Sequence, residues 1–533
     1  MTTTPTFWSD HFLVNSTTLG AQQFPHIAGL ASGGFVVVWQ DPSATGSDTS
    51  GSAVRAQVYD SLGDPVGAEF LVNTTTTNAQ QLPRVAALAD GGFVVVWEDF
   101  SAGHADVRAR RFDDEGTAID ANDFIVNSTT LNGQTDPHVA ALADGGFVIV
   151  FEDDSQSGSD TSGSAVRARR YDANGVAQGN DFEIHTFGNS NQSGPSVAGL
   201  TNGGFVAVWA DNSNQLGDNS PTGINARLFS ALDAPVDIEF QVNTTTSSSQ
   251  FEPRVAALAN GSFVVVWQDN SASGFDDSNS AIRGQVFDAA GGMVGSEFLV
   301  NTAIANGQTD ADVTALPDGG FFVVWRDGSE TGGDTLVGAI RGQRFDEAGN
   351  RVGGELLINQ IPTGDQRHPA VTALDDGRIA VAYRDLSGFG ETSNGGILAR
   401  ILDPREATID GTHGGDVIAG RLGDTEINGH DGDDAITGMA GDDVIDGDAG
   451  NDTLFGGDGE DLFVFNAGDG DDEVGDFMVG TDHLVLNGII IDSTAELDGN
   501  GDAVIDTLVT LSGGDTVLLS GVSGIADAGD LIA

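Results

Sequence analysis

Short apolar runs, separated by turn-forming residues, repeat at near-constant spacing through the first three quarters of the chain. The run GGFVVVW or a close variant occurs seven times, and its first apolar residue is Phe35, Phe93, Phe147, Phe205, Phe263, Phe321 and Ile379. Each repeat also carries PxVAAL before this run and AVRAQxYD and EFLVNT after it. All four segments are rich in Val, Ile and Phe and are bounded by Gly, Asn, Asp and Ser, so each predicts a β-strand.

Seven repeats of four antiparallel strands predict an all-β fold that begins with a seven-bladed β-propeller. The EFLVN strand first occurs at Phe12–Asn15, before any complete repeat, and the last repeat ends at Ile397–Asp403 without one. The N-terminal strand can therefore complete the last blade and remove its open edge. In this arrangement PxVAAL is the innermost strand and EFLVN the outermost. An array of β-sandwiches is the alternative.

Three polar or aromatic series recur in register within the repeats. The aromatic series from Trp39 to Tyr383 is expected to pack between blades rather than to form a ligand cage. The Asp series that begins at Asp41 is expected to cap a turn or to pair with arginines, and a ring of cation sites is the alternative. The Gln series that begins at Gln22 predicts a buried amide that ties its loop to a neighbouring blade.

One position differs between repeats and is a candidate for ligand binding. The residue after the recurring Pro, at the predicted mouth of the central channel, is His26, Arg84, His138, Ser196, Arg254, Asp312 and Ala370. A possible ligand ring consists of His26, Arg84, His138 and Arg254, which could receive an anionic ligand on an otherwise acidic molecule. The alternative is that these are solvated residues at the ends of loops.

After Pro404 the sequence changes to Gly, Asp and isolated aliphatic residues in register every nine positions. Six consecutive segments start at Gly411, Gly420, Gly429, Gly438, Gly447 and Gly456. Their eighth position is always apolar, namely Ile418, Ile427, Ile436, Ile445, Leu454 and Phe463. Their sixth position is Asp416, Thr425, Asp434, Asp443, Asp452 and Asp461.

This pattern resembles the RTX nonapeptide GGxGxDxUx. The resemblance implies a parallel β-roll whose eighth residues point inward and whose calcium ions lie between turns n and n+2. The implied carboxylate pairs are Asp416 with Asp434, Asp434 with Asp452, Asp443 with Asp461, and Asp452 with Asp472 of a seventh turn. A site that involves Thr425 should be weak or missing. Calcium prefers six to eight oxygen ligands, which such carboxylates and turn carbonyls supply.

The last segment resembles the region that follows RTX repeats in secreted bacterial proteins. Asp498, Asn500 and Asp502, with Asp506, have a spacing suited to one more calcium, and an Asx-rich turn is the equal alternative. The final residues, Asp530 to Ala533, resemble an uncleaved type I secretion signal. We therefore divide the chain into a propeller (1–404), an RTX roll with its capping stretch (405–488) and a C-terminal type I secretion region (489–533).

Composition limits the function further. The chain has 80 Asp and Glu against 21 basic residues, a formal net charge of −59, and no cysteine. Such a surface attracts cations and disfavours nucleic acid, and no apolar run is long enough for membrane insertion. The N-terminus MTTTPTFWSDHF lacks the features of a Sec signal peptide. We expect a secreted or cell-surface protein of a Gram-negative bacterium that uses a type I exporter.

Two functions remain open on sequence grounds. The first is a calcium-binding RTX protein whose roll folds after export and whose propeller binds a glycan or a surface or matrix protein. The alternative is an extracellular polysaccharide lyase or hydrolase with its active site on the propeller. No catalytic residues can be named, because HExxH, GxSxG and the Asp box SxDxGxxW are absent. The divergent fourth-blade segment NSNQLGDNSPTGINAR is the place where a catalytic loop would break the symmetry.

Overall fold

The computed structural model divides the chain into two compact units, 2–404 and 405–533. It describes residues 4–157, 163–186, 190–213, 220–271, 280–329, 338–359, 364–389, 395–404, 408–421, 423–497, 504–525 and 528–532. Among them, no helix is long and apolar enough to span a membrane.

The first unit is a seven-bladed propeller of antiparallel sheets. The innermost strands are Gln23–Gly29, Gln80–Ala87, Gln134–Ala141, Gln192–Gly199, Gln250–Ala257, Gln308–Ala315 and Gln366–Ala373. The second strands are Phe35–Asp41, Phe93–Asp99, Phe147–Asp153, Phe205–Asp211, Phe263–Asp269, Phe321–Asp327 and Ile379–Asp385. The third strands are Ala53–Tyr59, Asp106–Phe112, Ala165–Tyr171, Gly223–Phe229, Ala281–Phe287, Ala339–Phe345 and Gly396–Asp403. The outer strands of blades one to six are Pro65–Leu71, Phe124–Ile125, Phe182–Glu183, Phe240–Gln241, Met293–Leu299 and Arg351–Leu357.

The N-terminus closes the ring, as the sequence predicts. Two short strands, Thr6–Phe7 and Phe12–Leu13, pair with the third strand of blade seven, Gly396–Asp403. The innermost strand of each blade contacts that of the next, and the strand of blade seven contacts that of blade one. These pairs cover the edge of the third strand of the last blade, so this edge cannot pair with another chain and cause aggregation.

The propeller core lies between adjacent blades. The valines of the second and third strands of blade one pack against Phe93, Val95 and Trp97 of blade two, and the same pattern recurs around the ring. Trp97 is fully buried, so the aromatic series packs between blades as predicted. Fully burying a large apolar side chain contributes about 2–3 kcal/mol, and this contact recurs at each junction from blades one and two to blades six and seven.

The recurring Asp and Gln residues form a polar network at the blade junctions. In blade two, Asp99 accepts hydrogen bonds from Gln80 Nε2 at 2.9 Å and Arg108 Nε at 2.5 Å. Gln80 Oε1 in turn accepts from Asn73 Nδ2, which follows the outer strand of blade one. Five members of the Asp series pair with arginines in this way, and Asp211 instead bonds to Asn225. The Gln series ties neighbouring blades, although Gln80 is the first residue of its strand rather than a loop residue.

The second unit is a roll of two parallel sheets. One contains Thr408–Asp410, Glu426–Asn428, Val444–Asp446, Leu462–Phe465 and His483–Leu486. The other contains Val417–Ala419, Ala435–Ala440, Thr453–Asp458, Asp471–Val474 and Thr516–Leu519. Each strand pairs with the strand two turns later, and the eighth-position residues from Ile418 to Phe463 fill the interior. The roll therefore follows the nonapeptide register.

The C-terminal segment extends the second roll sheet. Asp506–Leu511 pairs antiparallel with both Ile491–Leu497 and Thr516–Leu519. A short 3-10 helix, Ala528–Leu531, places Leu531 in the core of this unit. The β-rich cap expected from the sequence is therefore present.

Candidate functional site

The sixth-position carboxylates of the roll form a ladder between turns n and n+2. Asp434 Oδ1 accepts from the Asp416 backbone N–H at 2.7 Å, and Asp452 Oδ1 accepts from that of Asp434 at 2.8 Å. The same contact joins Asp461 to Asp443 at 3.0 Å and Asp472 to Asp452 at 2.9 Å. All four pairs that the RTX resemblance implies are therefore adjacent in the roll.

The second oxygen of these carboxylates is buried and has no hydrogen-bond partner among the described residues. This holds for the Oδ2 atoms of Asp434, Asp443, Asp452 and Asp461. A buried anionic oxygen without a partner is strongly unfavourable, so the arrangement fits a bound cation. Among the described residues, no group of three or more His, Asp or Glu side chains is placed to hold one metal ion. Calcium also accepts backbone carbonyl oxygens as ligands.

Glycine is required beside these oxygens. In the five turns with Asp at the sixth position, the first glycine packs against the Oδ2 of that Asp, and a Cβ at Gly447 or Gly456 would lie 2.2 Å from that atom. Any larger residue would fill the space next to the carboxylate. The Gly–Asp combination of the repeat therefore keeps side-chain carbon away from the buried carboxylate oxygen.

The carboxyl groups are held in an environment that disfavours their charge. Burial, followed by the effect of neighbouring carboxylates, raises the pKa of Asp443 and Asp472 to about 7 and that of Asp452 and Asp461 to about 6. A cation between two such carboxylates would offset both the cost of burying their charge and their mutual repulsion.

The other predicted ligands have different positions. Asp416 is only partly buried at the start of the ladder, and Thr425 stands in the ladder where its N–H donates to Asp443 Oδ1 at 2.7 Å. A site between Thr425 and Asp443 thus lacks one carboxylate. Asp498, Asn500 and Asp502 lie outside the described residues, as does Ala533.

The ladder contains one carboxylate that sequence reasoning missed. Asp482 is buried, and its Oδ1 accepts from the Asp461 N–H at 3.2 Å. Asp482-His-Leu repeats the Asp-x-apolar signal of Asp461-Leu-Phe, and Leu484 pairs with Phe463. The sequence therefore contains the pattern, but Asp482 lies 21 residues after Asp461, whereas Asp461 lies 18 residues after Asp443. The three additional residues hide Asp482 from the regular spacing of the ladder.

A second candidate site lies in the propeller channel. Every innermost strand contains a β-bulge whose residue has a positive φ, at Phe24, Leu82, Asp136, Gly194, Glu252, Asp310 and His368. Non-glycine residues rarely adopt this conformation, and they cluster at functional sites. The bulges line a cavity of about 220 Å³, together with His26, Arg84, Arg254 and Asp312.

The structure brings three of the four predicted ring residues into contact. Arg84 Nε donates to His138 Nε2 at 3.1 Å, and His26 Nδ1 accepts from the Val85 N–H at 3.3 Å. The His26 and His138 rings meet edge-on with centroids 6.1 Å apart. Burial, followed by the nearby arginines, holds the pKa of both imidazoles well below the usual value, so both are neutral at pH 7.

The cationic groups of the channel are therefore Arg84 and Arg254. Among the described residues, their guanidinium groups donate to His138 and to the carbonyls of Pro83 and Pro253, and neither forms an ion pair. Burial and then Arg254 lower the pKa of Arg84 to about 10. Carboxyl groups missed by the sequence prediction, including Asp136, Glu252 and Asp310, share the cavity. The site is thus mixed in charge.

Comparison with known proteins identifies the repeats of the second unit. Residues 428–463 match the model of the RTX calcium-binding nonapeptide repeat, in four copies. The search of curated proteins gave no match.

Three solved structures are similar to parts of the chain. A protein of unknown function from Dyadobacter fermentans is 13% identical, with 74% of this chain and 98% of that chain covered and a TM-score of 0.43. A subunit of the Azotobacter vinelandii mannuronan C5-epimerase is 28% identical over 23% of this chain and 80% of that chain, with a TM-score of 0.19. A polysaccharide lyase is 11% identical, with 73% of this chain and 91% of that chain covered and a TM-score of 0.42.

The fold and the ladder define a class: an all-β protein in which a seven-bladed propeller precedes a parallel β-roll with a ladder of buried carboxylates. Residues 428–463 of this roll are RTX nonapeptide repeats, which are calcium-binding repeats.

Proposed function

We propose that calcium drives folding of the roll outside the cell after type I export, and that the propeller is an extracellular binding module. The observation that supports the first part is the set of buried Oδ2 atoms without partners. At low cytosolic calcium these carboxylates would repel each other and keep the roll unfolded, a state suited to export. Extracellular sites bind calcium at about 10⁻⁴–10⁻³ M, which is sufficient to fold it outside.

In this proposal the calcium ligands are Asp416, Asp434, Asp443, Asp452, Asp461 and Asp472, and Asp498, Asn500 and Asp502 are a further candidate set. The segment 489–533 would engage the type I exporter. Circular dichroism of the full chain and of residues 405–533 tests calcium-driven folding. We expect the β-signal of residues 405–533 to appear on adding millimolar calcium and that of the full chain to increase. Chelator should reverse both changes, and unchanged spectra would contradict the proposal.

The binding role of the propeller is supported by the guanidinium groups of Arg84 and Arg254 in the channel, which form no ion pair with the described residues. A glycan and matrix-protein array, run with calcium, identifies the ligand. The matched variant is Arg84→Ser/Arg254→Ser, because blade four carries Ser196 at the same position and so the fold accepts serine there. Loss of the array signal with this variant would support the channel as the site, and a retained signal would exclude it.

An extracellular lyase or hydrolase is the second candidate, and one observation favours it. Burial raises the pKa of Glu98 and of Glu152 to about 7, and both lie next to Asp136 of the channel. A carboxyl group with a pKa near neutrality is suited to general acid–base catalysis. Turnover of a polysaccharide by the full chain, lost in Glu98→Gln or Glu152→Gln, would establish an enzyme, and binding without turnover would leave a binding module.

A further inference from the structure

The seven-fold symmetry of the propeller is broken at one position beside the channel. Each second strand ends in Asp, and the residue before this Asp pairs with the residue that precedes the bulge of the innermost strand. We call these seven residues the mouth ring: Gln40, Glu98, Glu152, Ala210, Gln268, Arg326 and Arg384. Blades two and three thus present carboxyl groups, whereas blades six and seven present guanidinium groups across the channel.

The basic side of the mouth ring has more positive charge than its partners neutralise. Arg326 NH2 donates to Asp365 Oδ1 at 3.1 Å, and Arg367 Nε donates to Asp365 Oδ2 at 2.6 Å. Arg384 lies close enough for Arg367 to lower its pKa, after burial, and for Asp365 to raise it. Its Nε is buried without a hydrogen-bond partner among the described residues. Among the described residues, Asp365 is thus the one carboxylate bonded to Arg326 and Arg367, on a molecule whose net charge is −59.

This basic side opens into the channel. A groove of about 430 Å³ is lined by Arg326, Arg367, Glu252, Asp310 and His368, and the last three also line the channel cavity of about 220 Å³. The groove alone is in the range of ligand pockets, roughly 300–1,000 Å³. The rings of Phe24 and His368 lie 4.5 Å apart in the cavity wall and supply an apolar surface between the charged groups.

The groups around this joined space define the chemistry of a ligand. Guanidinium groups bind planar carboxylates through paired hydrogen bonds. The carboxyl groups of Glu252 and Asp310 accept hydrogen bonds from hydroxyls, and they would repel a ligand with closely spaced multiple negative charges. An apolar ring surface suits the face of a sugar. A ligand with widely spaced single carboxylates on a hydroxyl-rich scaffold satisfies all three requirements.

We infer that the mouth of the propeller binds a uronate-bearing oligosaccharide, with a sugar carboxylate on Arg326 and Arg367 and a neighbouring sugar ring in the channel. This inference rests on the proposed binding role of the propeller and names the class of ligand and a second subsite.

The test is isothermal titration calorimetry of the full chain in millimolar calcium with tetrasaccharides of galacturonate, glucuronate and mannuronate, each also as its methyl ester. The variant is Arg326→Gln/Arg367→Gln. Blades one and five carry Gln40 and Gln268 at the position of Arg326, and blades one and two carry Gln23 and Gln81 at the position of Arg367, so the fold accepts glutamine at both. The control is Arg351→Gln, which removes one positive charge from an exposed outer-strand residue. Inorganic phosphate is the probe for simple anion binding.

We expect at least one uronate to bind, its methyl ester to bind at least tenfold more weakly, and the double variant to lose about tenfold in affinity. The Arg351→Gln control should bind as the wild type does. Equal binding of acid and ester, unchanged binding by the double variant, phosphate competing equally well, or no uronate binding would each overturn the inference.

These outcomes separate this inference from the proposed function. If a neutral glycan or a matrix protein binds the array and is lost only in Arg84→Ser/Arg254→Ser, the binding role stands and the uronate inference is wrong. If no array ligand and no uronate binds, both are wrong.

Discussion

Glu98 of the mouth ring should make the stability of the propeller depend on pH. Its side chain is buried, and burial raises the pKa of the carboxyl from 4.5 to about 7. A group whose pKa is higher in the folded than in the unfolded chain stabilises the fold at low pH, and this contribution is lost as the pH rises toward the folded value. At about 1.4 kcal/mol per pKa unit, Glu98 lowers the free energy of unfolding by up to about 3 kcal/mol between pH 4.5 and about 7.

The variant Glu98→Gln should remove this loss. Glutamine keeps an acceptor for the Asp136 N–H, which Glu98 Oε1 accepts at 2.8 Å, and it occurs at the same position in blades one and five. We expect variant and wild type to be equally stable near pH 4.5, and the variant to be more stable by up to about 3 kcal/mol at about pH 8.

Urea unfolding in millimolar calcium, followed by tryptophan fluorescence, measures this difference. All six tryptophans lie in the propeller unit, so the signal is insensitive to the roll. Glu115→Gln, at an exposed turn, is the control and should keep the pH dependence of the wild type. If the wild-type and Glu98→Gln free energies of unfolding remained parallel from pH 5 to pH 8, the assignment of a buried, neutral carboxyl at this position would be wrong.

Three further substitutions or deletions test other parts of the molecule. Asp452→Asn removes the carboxylate shared by two ladder pairs. Circular dichroism should show that half of the roll folds only at a calcium concentration at least about tenfold higher. The control Asp431→Asn changes an exposed carboxylate and should have little effect. Asp99→Asn should lower the free energy of unfolding in urea by about 3 kcal/mol, because it breaks the buried ion pair with Arg108. Asp211→Asn should destabilise the propeller less, because the partner of Asp211 is the neutral Asn225. Deletion of residues 1–15 removes the buried side chains of Trp8 and Val14, whose burial contributes about 4 kcal/mol, and exposes the edge of Gly396–Asp403. Thermal unfolding should then show a less stable protein, and size-exclusion chromatography should show that it associates. An equally stable monomer would contradict ring closure by the N-terminus.

Local pattern was sufficient for most of the architecture. The alternation of short apolar runs and Gly/Asn/Asp turns predicts the strands, because side-chain periodicity and turn chemistry are properties of neighbouring residues. The outer-strand segment that starts at Phe12, before the first complete repeat, predicts closure of the ring. In the roll, the eighth-position apolar residues and the sixth-position Asp predict the core and the ladder, since each turn repeats the same register.

The sites depended on distances that the sequence does not contain. His26, Arg84 and His138 meet only because the ring closes and brings different blades to one axis, and burial there leaves the two imidazoles neutral. The same closure places Glu98 and Arg384, unremarkable as single residues, in one ring of residues around the channel. Asp482 joins the ladder through three-dimensional pairing that bridges an irregular insertion. Sequence by itself determined the repeating elements, because these are set by local chemistry. Tertiary structure decided which charged groups share a space and which are buried, because both depend on how the blades and turns close around a common axis.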